Sequence, residues 1–339
     1  MEMPWQSLLA KYDTHNMRSF YNRWPEIAQE AYNTGRDVDI VDTDGVNHIV
    51  FAGMGGSGAL GDYYAALLSK HSTHVTVVKG YGLPKTVDAD TLVVCSSVSG
   101  NTAETLAVLK KSLRRPCRRM ALSAGGRIKD VCMANNIPHH TIDVFHTPRT
   151  SFVAYAYALL GILKMGITTQ DIDESIDIMQ KKRIQIQSTN LTLENPALNL
   201  ATRLTKIPII YYPWGLQAAA VRFKNSLNEN AKMHAMVEDV VEAGHNEIMS
   251  WEMPSDVHPV MIQGTDDNSK TKERWMVFED YFNEKNIPFT KINSSGRHIM
   301  TKLVNLIYLL DYSTIYLAAM RGVNPTSTDS IKYVKERTV

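Results

Sequence analysis

Two short segments of the chain combine glycine with hydroxyl side chains. They read Gly53-Met54-Gly55-Gly56-Ser57-Gly58 and Ser97-Val98-Ser99-Gly100-Asn101-Thr102, and neither contains Lys or Arg. Each stands between an apolar, strand-like run and an amphipathic, helix-like run. Backbone N–H groups and hydroxyls at a helix N-terminus can bind one phosphate, because the helix dipole favours an anion there. We therefore expect a small phosphorylated ligand.

The first segment also fits the GxGxxG pattern of dinucleotide-binding proteins, which is a weak signal alone. An NAD site needs an acidic residue about 20 positions further on. No Asp or Glu lies between Asp62 and Asp88, and the second predicted strand ends at Lys79. Lys79 could serve NADP, but the second segment would then have no role. A Walker loop is excluded because the glycine segment lacks its Lys.

A purely structural alternative is that these hydroxyls only cap helices. One capping hydroxyl would be ordinary. Four hydroxyls on two converging loops favour phosphate binding instead.

The bulk composition excludes several classes of protein. With 36 basic and 35 acidic residues the chain has almost no net charge, which argues against nucleic acid or membrane as its partner. No run of 18 apolar residues predicts a membrane span, and the N-terminus lacks the features of a signal peptide. The three cysteines Cys95, Cys117 and Cys132 form no CxxC pair, as expected for buried or incidental thiols in a reducing cytoplasm.

Strand-like and helix-like segments alternate along most of the chain. The predicted strands are His48–Met54, Val75–Lys79, Thr91–Ser96, Arg119–Ser123 and His140–Val144 in the first half, and Ile207–Tyr212, Val257–Gln263 and Phe289–Ile292 in the second. Continuous apolar strands separated by helices indicate α/β units with mainly parallel sheets. Ligands of such sheets bind at the carboxyl ends of the strands, where both hydroxyl segments stand.

This pattern predicts five regions. They are a helical lead-in (1–45), a first α/β domain with the phosphate site (46–165), a helical linker (166–194), a second α/β domain (195–325) and a C-terminal helix (326–339).

The two hydroxyl segments, about 40 residues apart, resemble those of the sugar isomerase (SIS) family. The resemblance implies two α/β sandwich domains with parallel sheets flanked by helices. It also implies that Gly56, Ser57, Ser97, Ser99 and Thr102 bind the phosphate of a sugar 6-phosphate.

A second stretch, Arg222-Phe223-Lys224-Asn225-Ser226-Leu227-Asn228-Glu229-Asn230-Ala231-Lys232, is followed by Gly244-His245-Asn246-Glu247. It resembles the archaeal bifunctional phosphoglucose/phosphomannose isomerases. Further matches are Ser123–Arg127, Pro148-Arg149, Arg321–Thr326 and Lys335, so the resemblance runs over about residues 48–336. It implies interconversion of glucose 6-phosphate or mannose 6-phosphate with fructose 6-phosphate.

Aldose–ketose isomerisation moves a proton between C1 and C2 through a cis-enediolate. It needs a base that reaches both carbons, a cation beside the oxyanion, and an acid/base for ring opening. The resemblance implies that Glu229 is the base, Arg149 the cation, and His245 and Lys335 the ring-opening groups. Glu229 suits this role because it stands two positions past the last apolar residue of the predicted helix Leu216–Leu227, hence off the core stripe.

The resemblance also implies a homodimer in which His245 comes from the neighbouring subunit. A Thr is expected where strict glucose isomerases have a larger Gln, which would allow both C2 epimers. Thr328, seven positions before Lys335, or Thr326 fills that place. The chain departs from the family with Val98 between the two serines and with Gly244 before His245, which leaves the substrate preference open.

We expect no cofactor and no metal. The adjacent His139 and His140 would point to opposite faces of a strand, and no HExxH motif or Cys pair is present.

Two other functions fit the phosphate loops. One is a non-catalytic sugar-phosphate sensor, which would usually carry a helix-turn-helix module, whereas the lead-in is short and not basic. The other is a different SIS enzyme, such as the isomerase domain of an amidotransferase, which would need a glutaminase domain with its Cys.

Overall fold

The computed structural model describes residues 5–38 and 41–338. The chain divides into two compact units, each with its own parallel sheet. The first-sheet unit comprises Arg23–Asp177 and His298–Thr301. The second-sheet unit comprises the chain up to Asn22, Ile178–Arg297, and the chain from Lys302 onward. The predicted α/β fold with two helix-flanked sheets is confirmed.

The helices are α1 (Trp5–Tyr12), α2 (Met17–Asn22), α3 (Trp24–Arg36), α4 (Gly56–Leu67), α5 (Ala103–Ser112), α6 (Gly126–Ala134), α7 (Phe152–Leu163), α8 (Thr169–Ile186), α9 (Pro196–Arg203), α10 (Gln217–Ala231), α11 (Val240–Ala243), α12 (Ser269–Glu284), α13 (Ile299–Met320) and α14 (Asp329–Arg337). The strands are β1 (His48–Ala52), β2 (His74–Val78), β3 (Thr91–Ser96), β4 (Arg118–Ser123), β5 (His139–Thr141), β6 (Ile207–Tyr212), β7 (Met236–Asp239), β8 (Val257–Gln263) and β9 (Thr290–Asn293). A 3-10 helix spans Glu247–Glu252.

The first sheet has the order β2-β1-β3-β4-β5, and all its strands are parallel. Alternate residues of β1 point to opposite faces. Val50 and Ala52 pack in the core that α5 and α6 cover, whereas the Phe51 ring lies 5.0 Å from that of Tyr64 on α4. Burial on both faces explains why β1 is apolar from Ile49 to Ala52. Ala52 pairs with Cys95 of β3, so the loops after β1 and β3 leave the sheet side by side.

The second sheet has the order β7-β6-β8-β9 and is also parallel. Tyr211 and Met261 point from it into a core with Trp251, Phe278 and Phe282. Strand β7 was not predicted from the sequence. It has four residues, lies at the edge of the sheet and is only partly buried, so it lacks the apolar run that marks a central strand.

The expected lead-in (1–45) does not form one region. Helices α1 and α2 belong to the second-sheet unit, where the Tyr21 hydroxyl donates to Asp311 at 3.2 Å and the Trp5 ring packs edge-on to that of Tyr316. Helix α3 belongs to the first-sheet unit and crosses α7 closely, because Gly35 and Gly161 leave room for the opposing backbone. The boundary lies between Asn22 and Arg23.

The expected linker (166–194) is likewise divided, since the boundary between the two units falls within α8, between Asp177 and Ile178. A continuous helix with alternating apolar positions gives no sequence signal of such a boundary. Helix α14 runs from Asp329 to Arg337, within the expected C-terminal region (326–339), and has no buried residue.

Helix α13 is long and apolar enough to cross a membrane by length and composition alone. However, 94% of its apolar window is buried inside the protein. Within the second-sheet unit its residues Tyr312 and Tyr316 hydrogen-bond to Asn22 and to the carbonyl of Ile186. Helix α13 therefore has the environment of a core helix.

Candidate active site

The first hydroxyl loop turns from β1 into α4. Gly55 precedes the helix with a φ of 54°, a conformation that glycine adopts without strain, and no side chain caps the helix. Ser57 lies in the first turn and is buried. Its Oγ accepts a hydrogen bond from the N–H of Val98 at 3.4 Å, which joins the first loop to the second.

The second hydroxyl loop turns from β3 into α5. The Oγ of Ser97 lies 2.8 Å from Oγ1 of Thr102, and Ser99 Oγ accepts from the N–H of Asn101 at 3.2 Å. Thr102 occupies the N-cap position of α5, but its side chain makes no capping hydrogen bond. The interpretation that these hydroxyls only cap helices is therefore not supported at α4 or α5.

A third loop, Ser123–Gly126 at the end of β4, packs against the second hydroxyl loop. A Cβ added to Gly100 would overlap the carbonyl oxygen of Gly125, so the two backbones touch where Gly100 has a φ of 68°. The N–H of Arg127 donates to Asn101 Oδ1 at 3.1 Å. The segment Ser123–Arg127 thus supports the second hydroxyl loop, a role that the sequence did not suggest.

Arg149 is held beside the first loop by a tight turn. The Thr147 and Thr150 side chains bond across this turn, and the Trp24 indole donates to the carbonyl of Thr150 at 2.9 Å. A Cβ on Gly56 would lie 2.8 Å from the carbonyl oxygen of Pro148, so only glycine allows this approach. Arg149 is 3% exposed.

The first-sheet unit therefore brings together six of the predicted residues: Gly56, Ser57, Ser97, Ser99, Thr102 and Arg149. Lys79, which an NADP site would use, is instead paired with Asp62 of α4 at 2.5 Å.

Glu229 lies in the last turn of α10, which continues to Ala231. The expectation that this helix ends at Leu227 is wrong. Asn228 and Asn230 are poor helix formers, but their side chains find partners: Asn228 donates to the carbonyl of Met233 at 2.7 Å, and Asn230 donates to the Thr314 hydroxyl at 2.8 Å. These bonds offset the low propensity, and the helix ends at Lys232, which has a left-handed φ of 54°.

One row of α10 side chains fixes this helix against α13. Arg222 forms a buried ion pair with Asp311 at 2.6 Å, and the Ser226 hydroxyl donates to the same carboxylate at 2.7 Å. Arg222, Ser226 and Asn230 are spaced by four residues and so share one helix face. Glu229 lies three residues after Ser226, at the edge of this row, and its side chain is only partly buried.

Glu229 lines a cavity of about 550 Å³ within the second-sheet unit. The other lining residues are Asn228, Lys232, Met233, His234, Ser327, Thr328, Asp329, Ser330 and Ile331. The Lys232 ammonium donates to the carbonyls of Glu229 (2.5 Å) and Ser327 (2.8 Å), which ties the two walls together.

Thr328 is among the described residues that line this cavity, and Thr326 is not. His245 and Lys335 do not line it either; both are exposed, on the turn after α11 and on α14 respectively. His234 lines it and was missed from the sequence, which offered only its position shortly after the Glu229 motif as a signal.

The His245 turn is anchored on both sides. Glu247 accepts a hydrogen bond from the Tyr211 hydroxyl at 2.5 Å, and burial raises the pKa of this carboxyl. A Cβ on Gly244 would overlap Nη1 of Arg274, whose side chain therefore covers the glycine.

Within residues 5–38 and 41–338, no group of three or more His, Cys, Asp or Glu side chains is arranged to hold a metal ion. His139 instead hydrogen-bonds to the Ser123 hydroxyl at 2.7 Å. The three cysteines are buried and free, as predicted, and burial raises the pKa of Cys132 to about 11.

The chain is similar to proteins of known family. Residues 193–338 match the model of the bacterial phospho-glucose isomerase C-terminal SIS domain. A bifunctional phosphoglucose/phosphomannose isomerase from Caldicellulosiruptor bescii is 30% identical over 333 residues, covering 94% of this chain and 97% of the relative. A D-glucosamine-6-phosphate 4-epimerase from Sulfolobus acidocaldarius is 31% identical over 235 residues, covering 68% of this chain and 72% of the relative.

The fold is also found among solved structures. A hypothetical protein from Thermus thermophilus superposes with a TM-score of 0.75 at 16% identity, covering 98% of this chain and 92% of that one. At this identity the likeness shows a common fold. Because the Caldicellulosiruptor relative is matched over nearly its whole length, this chain belongs to the bifunctional phosphoglucose/phosphomannose isomerase family.

Proposed function

We propose that the protein is an aldose–ketose isomerase that interconverts glucose 6-phosphate or mannose 6-phosphate with fructose 6-phosphate. The observation that carries this proposal is the match over 97% of a bifunctional isomerase. Both the hydroxyl loops and the α10 motif lie inside the matched length. The shared fold and the loop geometry support the same conclusion.

The first-sheet unit supplies the phosphate grip. Ser57, Ser97, Ser99 and Thr102 present hydroxyls at two joined loops. The backbone of the buried Arg149 lies next to Gly56, and its guanidinium carries a fixed positive charge. That charge would stabilise the oxyanion of a cis-enediolate.

Glu229 serves as the base that moves the proton between C1 and C2. Glucose 6-phosphate and mannose 6-phosphate differ only at C2, and both give the same enediolate. Thr328 shares the cavity of Glu229, which supports Thr328 over Thr326 as the small residue that tolerates both epimers.

His245 and Lys335 are assigned to ring opening, with His245 donated by the partner subunit of a homodimer. The exposed position of His245 and its absence from the Glu229 cavity support this assignment. A mixture of Glu229→Gln and His245→Ala subunits tests it. Each mixed dimer would hold one intact site, so activity should return on mixing; two inactive variants that stay inactive when mixed would place His245 in its own subunit's site.

One coupled assay tests the function. Purified protein is given fructose, mannose and glucose 6-phosphates, with and without chelator, and we expect interconversion of all three that chelator does not change. Loss of activity with chelator would disprove metal independence, and binding without turnover would favour a non-catalytic sugar-phosphate sensor.

The Sulfolobus relative makes C4 epimerisation of glucosamine 6-phosphate a second candidate function. The same assay should therefore include glucosamine 6-phosphate as a substrate. We propose a soluble cytoplasmic enzyme without cofactor.

A further inference from the structure

The chain after α10 is held in a fixed position beside Glu229. Lys232 adopts the left-handed conformation and reverses the chain, and the N–H of Met233 then bonds to the carbonyl of Leu227 at 3.1 Å. Asn228 holds the Met233 carbonyl at 2.7 Å, and the Met233 side chain is buried. His234 follows directly, so three contacts fix the backbone from which its ring projects into the Glu229 cavity.

Several other polar side chains that line this cavity already form hydrogen bonds within the protein. The Lys232 ammonium bonds to two carbonyls, the Asn228 amide bonds to the Met233 carbonyl, and the Ser327 hydroxyl donates to Asp329 at 2.8 Å. His234 is exposed, and among the described residues none hydrogen-bonds to its ring. Its ring is therefore available to a ligand in this cavity.

We propose that His234 binds the hydroxyl groups of the sugar on which Glu229 acts, and so helps to determine substrate specificity. This inference rests on the proposed function and deepens it. A neutral imidazole donates from one ring nitrogen and accepts at the other, and a sugar hydroxyl can meet both requirements. The phosphate end of the substrate does not depend on His234, because the hydroxyl loops of the first-sheet unit bind it in the proposed function.

Calorimetric titration with two probes, fructose 6-phosphate and inorganic phosphate, separates the two ends of the substrate. For His234→Ala we expect the Kd of fructose 6-phosphate to rise roughly three- to tenfold, the effect of losing one hydrogen bond, with no change for inorganic phosphate. His234→Gln retains a donor and an acceptor and should recover part of the loss. His74→Ala removes an exposed histidine of the first-sheet unit and should change neither Kd.

Steady-state kinetics add a second readout. The KM for fructose 6-phosphate should rise in His234→Ala while the melting temperature stays that of the wild type, since the side chain is exposed. An unchanged Kd for fructose 6-phosphate, or an equal rise for inorganic phosphate, would overturn the inference. If the wild type binds fructose 6-phosphate without turning it over, the proposed function fails, while the titration still decides the role of His234.

Discussion

The hydroxyls of Ser97 and Thr102 lie 2.8 Å apart at the carboxyl end of β3, although Thr102 occupies a helix N-cap position. A capping Thr would turn its hydroxyl toward the N–H groups of its own helix. Here both hydroxyls face each other across the loop, which leaves helix N–H groups of α5 available to an anion. This arrangement distinguishes a binding loop from an ordinary helix start.

Removing either hydroxyl should weaken substrate binding. For Ser97→Ala and Thr102→Val we expect the KM for fructose 6-phosphate to rise roughly tenfold or more, because a hydrogen bond to a charged group contributes about 1.5–3 kcal/mol. Thr105→Val is the matched control. The Thr105 hydroxyl lies in the same helix as Thr102, is buried and finds no hydrogen-bond partner among the described residues, so its loss should leave the KM unchanged. Equal effects of all three changes would contradict the phosphate role.

Glycine at position 56 is required for the approach of the Arg149 turn. Gly56→Ala would place a Cβ 2.8 Å from the carbonyl oxygen of Pro148 and push this turn away. We expect kcat/KM to fall on the order of 100-fold, the effect of a misplacement of about 1 Å at a reacting centre. Gly80→Ala is the control, because no described residue other than its two chain neighbours comes within 4 Å of the added Cβ. Steady-state kinetics of both variants measure the difference, and a fully active Gly56→Ala would refute the predicted close contact.

The size of residue 328 should set the choice between epimers. Thr328→Gln would fill part of the Glu229 cavity, and we expect it to reduce turnover of mannose 6-phosphate more than that of glucose 6-phosphate. Thr326→Gln should preserve the ratio of the two activities, because Thr326 is not among the described residues that line this cavity. Parallel kcat/KM measurements on both substrates test this. A changed ratio in Thr326→Gln with an unchanged ratio in Thr328→Gln would show that Thr326 determines the tolerance of both epimers.

The buried pair Arg222–Asp311 should contribute strongly to stability. Arg222→Met leaves the Asp311 carboxylate buried without its charged partner, and we expect the free energy of unfolding to fall by about 3–5 kcal/mol. Lys270→Met breaks the exposed pair of Lys270 with Glu273 and should cost no more than about 0.5 kcal/mol. Denaturant unfolding compares the two variants. A loss below that of Lys270→Met would show that α10 is held by other contacts.

Much of the fold follows from local sequence. Strands β3, β6 and β8 were predicted to the residue, because each is a mainly apolar run that is buried on both faces. Strand β7 could not be found, since an edge strand with Glu238 and Asp239 lacks such a run. The division of the lead-in depends on contacts such as Tyr21–Asp311, which join residues 290 positions apart. No local pattern reports such contacts.

The candidate site shows the same contrast. The hydroxyl loops could be placed together because neighbouring parallel strands end at one edge of a sheet. The end of α10 could not be predicted, because helix propensity ignores the side-chain partners of Asn228 and Asn230. The position of His234 depends on the left-handed conformation of Lys232 and on the hydrogen bond from Asn228 to the Met233 carbonyl. Neither feature can be predicted from residue types alone.

The central claim is that the Glu229 carboxylate transfers the proton in an aldose–ketose isomerisation, and Glu229→Gln tests it most directly. Turnover of fructose 6-phosphate and its binding should be measured on the same preparation, with Glu284→Gln, an exposed change at the end of α12, as the control. We predict that Glu229→Gln lowers kcat by at least about 1,000-fold, as loss of a general base does, while the Kd stays near that of the wild type. Undiminished turnover in Glu229→Gln would contradict the account.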